Sequence, residues 1–255
     1  MFKLSVCIDI ILKEHSFLER VDRTAELGFE AFEFWSSEGK DLIKIREKAT
    51  QNDLDIAATV GLSNILTDPE KAEEAVSSIR DSIKICQQLN SRNLIVTTGN
   101  EQDNLSRKEQ HNNIVEVLKR VKKDAEEAEV MLVLEPLNTA VNHAGYYLSS
   151  SYEGYEILDK VDSPYIKLLF DVYHQQITEG NIIQNIKEYI DFIGHFHIAD
   201  VPGRHQPGTG ELNYSNIFKA IADTDYDGYV GCEFTPSGSP EEALKDTKGI
   251  YEKLL

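Results

Sequence analysis

The chain has 255 residues, 41% hydrophobic and 27% charged, and its 44 acidic against 26 basic side chains give a formal net charge of -18. Such a field repels phosphate backbones and no local basic patch offsets it, so nucleic acid is not an expected partner. No apolar run approaches the roughly 18 residues of a membrane helix, and MFKLSVCIDI reads as a strand rather than a secretory leader, so a soluble, cytoplasmic protein without membrane association is expected.

Short apolar, β-branched runs alternate with longer amphipathic segments along the whole length. The strand candidates are 3–10, 30–35, 54–60 and 93–99, then 130–138, 166–174, 192–200 and 228–236. Between them, 68–89 reads as a helix opened by Asp68 and Pro69, and 106–128 carries charges around an apolar stripe. A last helix starts at Ser239-Pro240-Glu241-Glu242, which has a cap, a first-turn proline and an acidic first turn. Eight β-then-α units without a linker predict parallel strands closed into a single (β/α)8 TIM barrel over residues 1–255. An open doubly wound sheet is the alternative, but no glycine-rich phosphate loop follows any strand. Cys7, Cys86 and Cys232 are too widely spaced for paired metal ligation and odd in number, so reduced thiols are expected.

In a barrel, catalytic groups sit at the carboxyl ends of the strands. Strand five runs into Glu135, strand six into Asp171 and strand eight into Glu233, each carboxylate directly ending an apolar run. Three such carboxylates at one barrel mouth repel one another unless a cation lies between them. Strand seven adds His195 and His197, which share one face because they are two apart. His197, nearer the carboxyl end, is the better ligand, and His195 reads as a core or supporting histidine. Glu135, Asp171, His197 and Glu233 thus make an oxygen-rich site for one divalent ion, Mn2+ or Mg2+, with Co2+ or Zn2+ admitted by the nitrogen.

Other polar residues carry weaker readings. Trp35 ends strand two and could wall the pocket or merely pack at the rim. Asp9 and Glu33 lie near early strand ends without a partner pattern and stay unassigned. His174 is three residues past Asp171, where it could bind substrate or cap the next helix. Arg204 and His205 lie in a Pro/Gly-rich loop that could close over a site or grip an anion.

The segments Leu134-Glu135-Pro136-Leu137-Asn138, Phe170-Asp171-Val172-Tyr173-His174, Gly194 to His205 and Gly231-Cys232-Glu233-Phe234 resemble the xylose-isomerase-like barrel superfamily, with hydroxypyruvate isomerases nearest in wording. The likeness spans the chain in element order and is most specific from Glu135 onward. It implies that Glu135, Asp171, His197 and Glu233 hold the metal, that the two glutamates are also the acid/base pair, that His174 and Arg204 contact substrate, and that Asp200 contacts substrate or orients a ligand. The sequence departs at three places: hydroxypyruvate isomerases usually carry Gln at 197, Gly at 200 and often Lys near Thr235. His at 197 is usual in ketose 3-epimerases of the same superfamily.

The resulting expectation is a metal-dependent isomerase of a small hydroxy-oxo acid or sugar, working through an enediolate as in the conversion of hydroxypyruvate to tartronate semialdehyde. A ketose 3-epimerase is the alternative. A metal-dependent endonuclease is disfavoured by charge and by only seven histidines, a dehydratase stays open, and self-association into a homo-oligomer is compatible with this reading.

Overall fold

The protein was examined as a computed structural model, which describes residues 1–61 and 64–254. Eight parallel strands close into a barrel in chain order. They are β1 (Lys3–Cys7), β2 (Ala31–Phe34), β3 (Asp55–Val60), β4 (Asn93–Val96), β5 (Met131–Leu134), β6 (Ile166–Asp171), β7 (Ile193–Ile198) and β8 (Tyr229–Cys232). Closure is made by β1 against β8, from Lys3 opposite Tyr229 to Val6 opposite Cys232.

The helices between them are α1 (Phe17–Glu26), α2 (Leu42–Gln51), α3 (Ala72–Leu89), α4 (Arg107–Ala128), α5 (Ser151–Val161), α6 (Val172–Thr178), α7 (Ile182–Tyr189), α8 (Tyr214–Ala222) and α9 (Pro240–Glu252). Their starts follow the predicted chemistry. Ser106 and Glu109 form a reciprocal capping box at α4, and Ser239 caps α9 ahead of Pro240. The segment 68–89 differs in its first turn: Asp68 caps a short 3-10 turn, Pro69–Lys71, and the α-helix begins at Ala72. Strand five is also shorter than the apolar run suggested. After Glu135 has given its amide to Val96 O, Pro136 has no amide to continue the ladder.

Strand alternation divides the core. Leu94, Val96, Leu132, Leu134, Leu168 and Phe170 join the large apolar layer under the helices, whereas Ala58, Ile95, Val133 and Leu169, at the intervening positions, form a separate small cluster in the lumen. That apolar filling belongs to β3 through β6. On the β7 side, His195 is in register with Leu169 and His197 with Gly231, so the lumen there is polar. No helix among the described residues is long and apolar enough to cross a membrane.

Candidate metal centre

Four adjacent strands deliver the centre. Glu135 directly follows β5, Asp171 ends β6, His197 lies in β7 and Glu233 directly follows β8. One donor atom from each lies within 4.8 Å of the others, and all four residues are buried. His197 Nδ1 is 3.5 Å from Glu135 Oε1 and 3.4 Å from Glu233 Oε2. Both ring nitrogens of His197 are buried and neither makes a hydrogen bond, an arrangement that ligation through Nδ1 relieves in part and packing alone does not. Three carboxylates and one such imidazole fit a divalent cation by charge and donor type.

Each ligand is held from behind. Asp171 caps α6: its Oδ1 accepts from the amides of Tyr173 at 2.8 Å and His174 at 3.2 Å, which leaves Oδ2 toward the cluster. Burial pushes the Asp171 carboxyl up against the pull of Arg204, with Glu233 adding to the rise. Glu233 behaves oppositely. Burial alone would raise it, but the Arg204 guanidinium above all, then His197, hold it well below the usual carboxylate range. Its Oε1 accepts from Trp35 Nε1 at 2.7 Å, and its Oε2 pairs with Arg204 Nη2. Behind His197, Glu33 Oε1 lies 2.6 Å from Nε2. Burial would raise the Glu33 carboxyl, yet His197 and His195 together hold it down at about 2.

The mouth of the barrel carries further polar groups. The Asn138 amide donates to His174 Nδ1 at 3.0 Å, so the ring proton sits on Nε2, which is buried, unbonded and 3.5 Å from Asp171 Oδ2. Burial and then Arg204 push His174 down to about 3, making it a neutral donor beside the cluster. It does not cap α6, since Asp171 does. Arg204 takes φ +56, the left-handed region that non-glycine residues rarely adopt. From there it reaches Glu233 and lies 3.7 Å from Asp171 Oδ2, with its guanidinium 5.4 Å from the centre of the Tyr173 ring.

Asp200, expected among the substrate-contacting groups, is placed differently. It is fully buried, and four main-chain amides occupy its oxygens: Val201 and Leu212 on Oδ1, Gly208 and Gly210 on Oδ2, all at 2.9–3.0 Å. The packing under this carboxylate explains Gly210, where a Cβ would meet Val201 O at 2.1 Å. In the structure Asp200 is therefore the hub of the loop that carries Arg204, with its acceptor capacity spent on that loop.

Three residues at the centre have contacts that the sequence does not reveal, although Trp35 and Glu33 are placed near strand ends by it. Glu33 joins His195 and His197 from more than 160 positions away. Trp35 reaches Glu233 by its indole nitrogen although the side chain is partly exposed. His143, half-buried in the loop after β5, packs with its ring centre 5.2 Å from that of His174, tilted by 54°, and burial lowers its pKa.

Comparison with known proteins bears on the family and the fold. Residues 21–254 match the family described as xylose isomerase-like TIM barrel. Hydroxypyruvate isomerase of Escherichia coli strain K12 is 28% identical, covering 96% of this chain and 98% of its own. The 2-oxo-tetronate isomerase of Pectobacterium atrosepticum is also 28% identical, covering 99% of both chains. A crystal structure described as an AP endonuclease, family 2, from Brucella melitensis superposes with a TM-score of 0.91 at 26% identity, over 96% of this chain and 97% of that one.

Proposed function

Because the chain belongs to the xylose isomerase-like TIM barrel family, we propose that it is a metal-dependent isomerase of a small α-hydroxycarbonyl acid, of the hydroxypyruvate or 2-oxo-tetronate kind that its relatives are named for. The carrying observation is the set of four buried donors from β5, β6, β7 and β8 within 4.8 Å. A divalent ion held by Glu135, Asp171, His197 and Glu233 supplies polarisation of the substrate carbonyl and of the adjacent hydroxyl.

The chain's own groups do the proton chemistry. Glu135 and Glu233 come from opposite flanks of the ligand set, so one carboxylate takes the carbon-bound proton and either it or its partner, once protonated, returns one at the neighbouring carbon of the enediolate, while the hydroxyl proton passes to the former carbonyl oxygen. Arg204 and the Nε2–H of His174 face the same cluster and offer a charged and a neutral donor for substrate oxygens. A carboxylate on the substrate suits the guanidinium, which favours an acid over a neutral sugar. The net charge of -18 opposes nucleic acid as substrate. Epimerisation of a ketose at carbon three is the second reading, favoured by histidine rather than glutamine at 197.

The test is an assay with Mn2+ against hydroxypyruvate, 2-oxo-tetronate and a panel of ketoses, with deuterium uptake next to the carbonyl followed by NMR. Turnover and exchange with one of the acids, abolished by a chelator and restored by Mn2+, is the expected result. Exchange with no compound of the set refutes the isomerase class. A narrower prediction concerns Trp35→Phe, which keeps the aromatic wall but removes the indole donor from Glu233. A hydrogen bond to a charged acceptor is worth about 1.5–3 kcal/mol, so kcat should fall roughly tenfold or more with KM little changed. An unchanged kcat in steady-state kinetics would show the contact to be packing.

A further inference from the structure

The lumen beneath the proposed ion site contains a second polar cluster that the chemistry above does not use. Glu33 is buried in β2: its Oε2 is hydrogen-bonded with His195 Nε2 at 3.1 Å, and its Oε1 lies 2.6 Å from His197 Nε2, a close contact whose angle does not make a hydrogen bond. The three side chains also group as a potential ion site, but their separations argue against one. Ligands bonded to an ion at about 2.1 Å in tetrahedral geometry stand about 3.3 Å or more apart. At 2.6 Å, His197 Nε2 and Glu33 Oε1 stand too close together to be two ligands of one ion.

We infer that Glu33 is a positioning residue: its carboxylate, packed against the Nε2 edge of the His197 ring, keeps the Nδ1 edge turned toward Glu135, Asp171 and Glu233. The inference rests on the metal-site reading of those four residues. His195 completes the clamp. It shares the other oxygen of Glu33 and packs edge-on against His197 with ring centres 5.1 Å apart, so the carboxylate cannot rotate away without leaving an imidazole donor unpaired. Gly231 makes the space. A Cβ there would lie 2.5 Å from Glu33 Oε1 and 2.8 Å from its Cδ, so the carboxylate occupies the volume that β8 leaves by having no side chain opposite His197. Carboxylates that orient a metal-bound imidazole in this way typically contribute a factor of about 10 to 100 in metal affinity.

Two variants attack the contact by different routes. Glu33→Gln keeps the shape and removes the charge, whereas Gly231→Ala keeps the charge and displaces the carboxylate. Mn2+ affinity is measured by EPR titration for wild type, both variants and Asp171→Asn, with far-UV circular dichroism as the check on folding. In Zn2+-loaded, 15N-labelled protein, NMR follows the imidazole Nε2–H resonance of His197. Both variants should bind Mn2+ about 10- to 100-fold more weakly, and in Glu33→Gln the resonance should move upfield, since a neutral amide beside the ring edge polarises the N–H less than a carboxylate does. Wild-type affinity and an unmoved resonance in Glu33→Gln overturn the inference, and if Asp171→Asn has meanwhile lost Mn2+, the four-ligand reading stands without it. A wild-type protein that binds no Mn2+ overturns both together. If Gly231→Ala does not fold, the isosteric Glu33→Gln still decides.

Discussion

Replacing Glu233 by Gln, or Glu135 by Gln, should lower turnover by about three orders of magnitude or more while leaving the barrel folded. Positioned proton transfer contributes roughly 10²–10⁴-fold, and a neutral amide can neither take a carbon-bound proton nor return one. The exchange is nearly isosteric. At 233 the amide oxygen can still accept from the Trp35 indole, and the main chain keeps its bonds, Glu233 N to Ile198 O and Glu135 N to Val96 O. Arg204 loses its charge partner at Glu233, which adds a binding defect to the chemical one. Initial rates at saturating Mn2+ separate loss of the acid/base group from weakened ion binding, and a thermal melt confirms folding. Near-wild-type rates in both variants under those conditions would sink the acid/base assignment.

Asp200→Ala should be the most damaging change away from the ion site. It strips the acceptor from four partly buried amides, and each buried donor left unpaired costs about 1–3 kcal/mol. A total on the order of 4 kcal/mol corresponds to a Tm lower by about 10 °C in a chain of this size. Activity should fall as well, because the same loop aims Arg204. Asp200→Asn, which retains one acceptor oxygen, should lie between. Calorimetry provides the check, and a Tm within about 2 °C of wild type in Asp200→Ala would mean that the loop holds without its hub.

The parts of this molecule that sequence makes legible are those with local periodicity or a local terminus. Eight apolar runs and their caps identify the barrel, and a carboxylate ending each of three runs, with a histidine in a fourth, points to the ion site. What escaped is long-range. Glu33 looks like any polar residue in β2 until the barrel closes and brings it under His195 and His197. Position 231 gives the same lesson, since its lack of a side chain acquires meaning only beside Glu33. The resemblance points to Asp200 as a substrate contact, whereas its four amide partners, from Val201 to Leu212, depend on how the loop folds back. His143 lies in a loop with no periodicity, so nothing in the chain pointed to its packing against His174.

Asp171 holds the start of α6 with one oxygen and turns the other toward the ion cluster, while His174 rides on the first turn of that same helix. A single short segment therefore fixes the distance between an ion ligand and a substrate donor, and neither can drift without the other. Diversification of this scaffold toward new substrates has little freedom along β6. The room for change lies in the longer segment after β5, where His143 stands on a loop, whereas the loop after β7 is tied to Glu233 and Asp171 through Arg204.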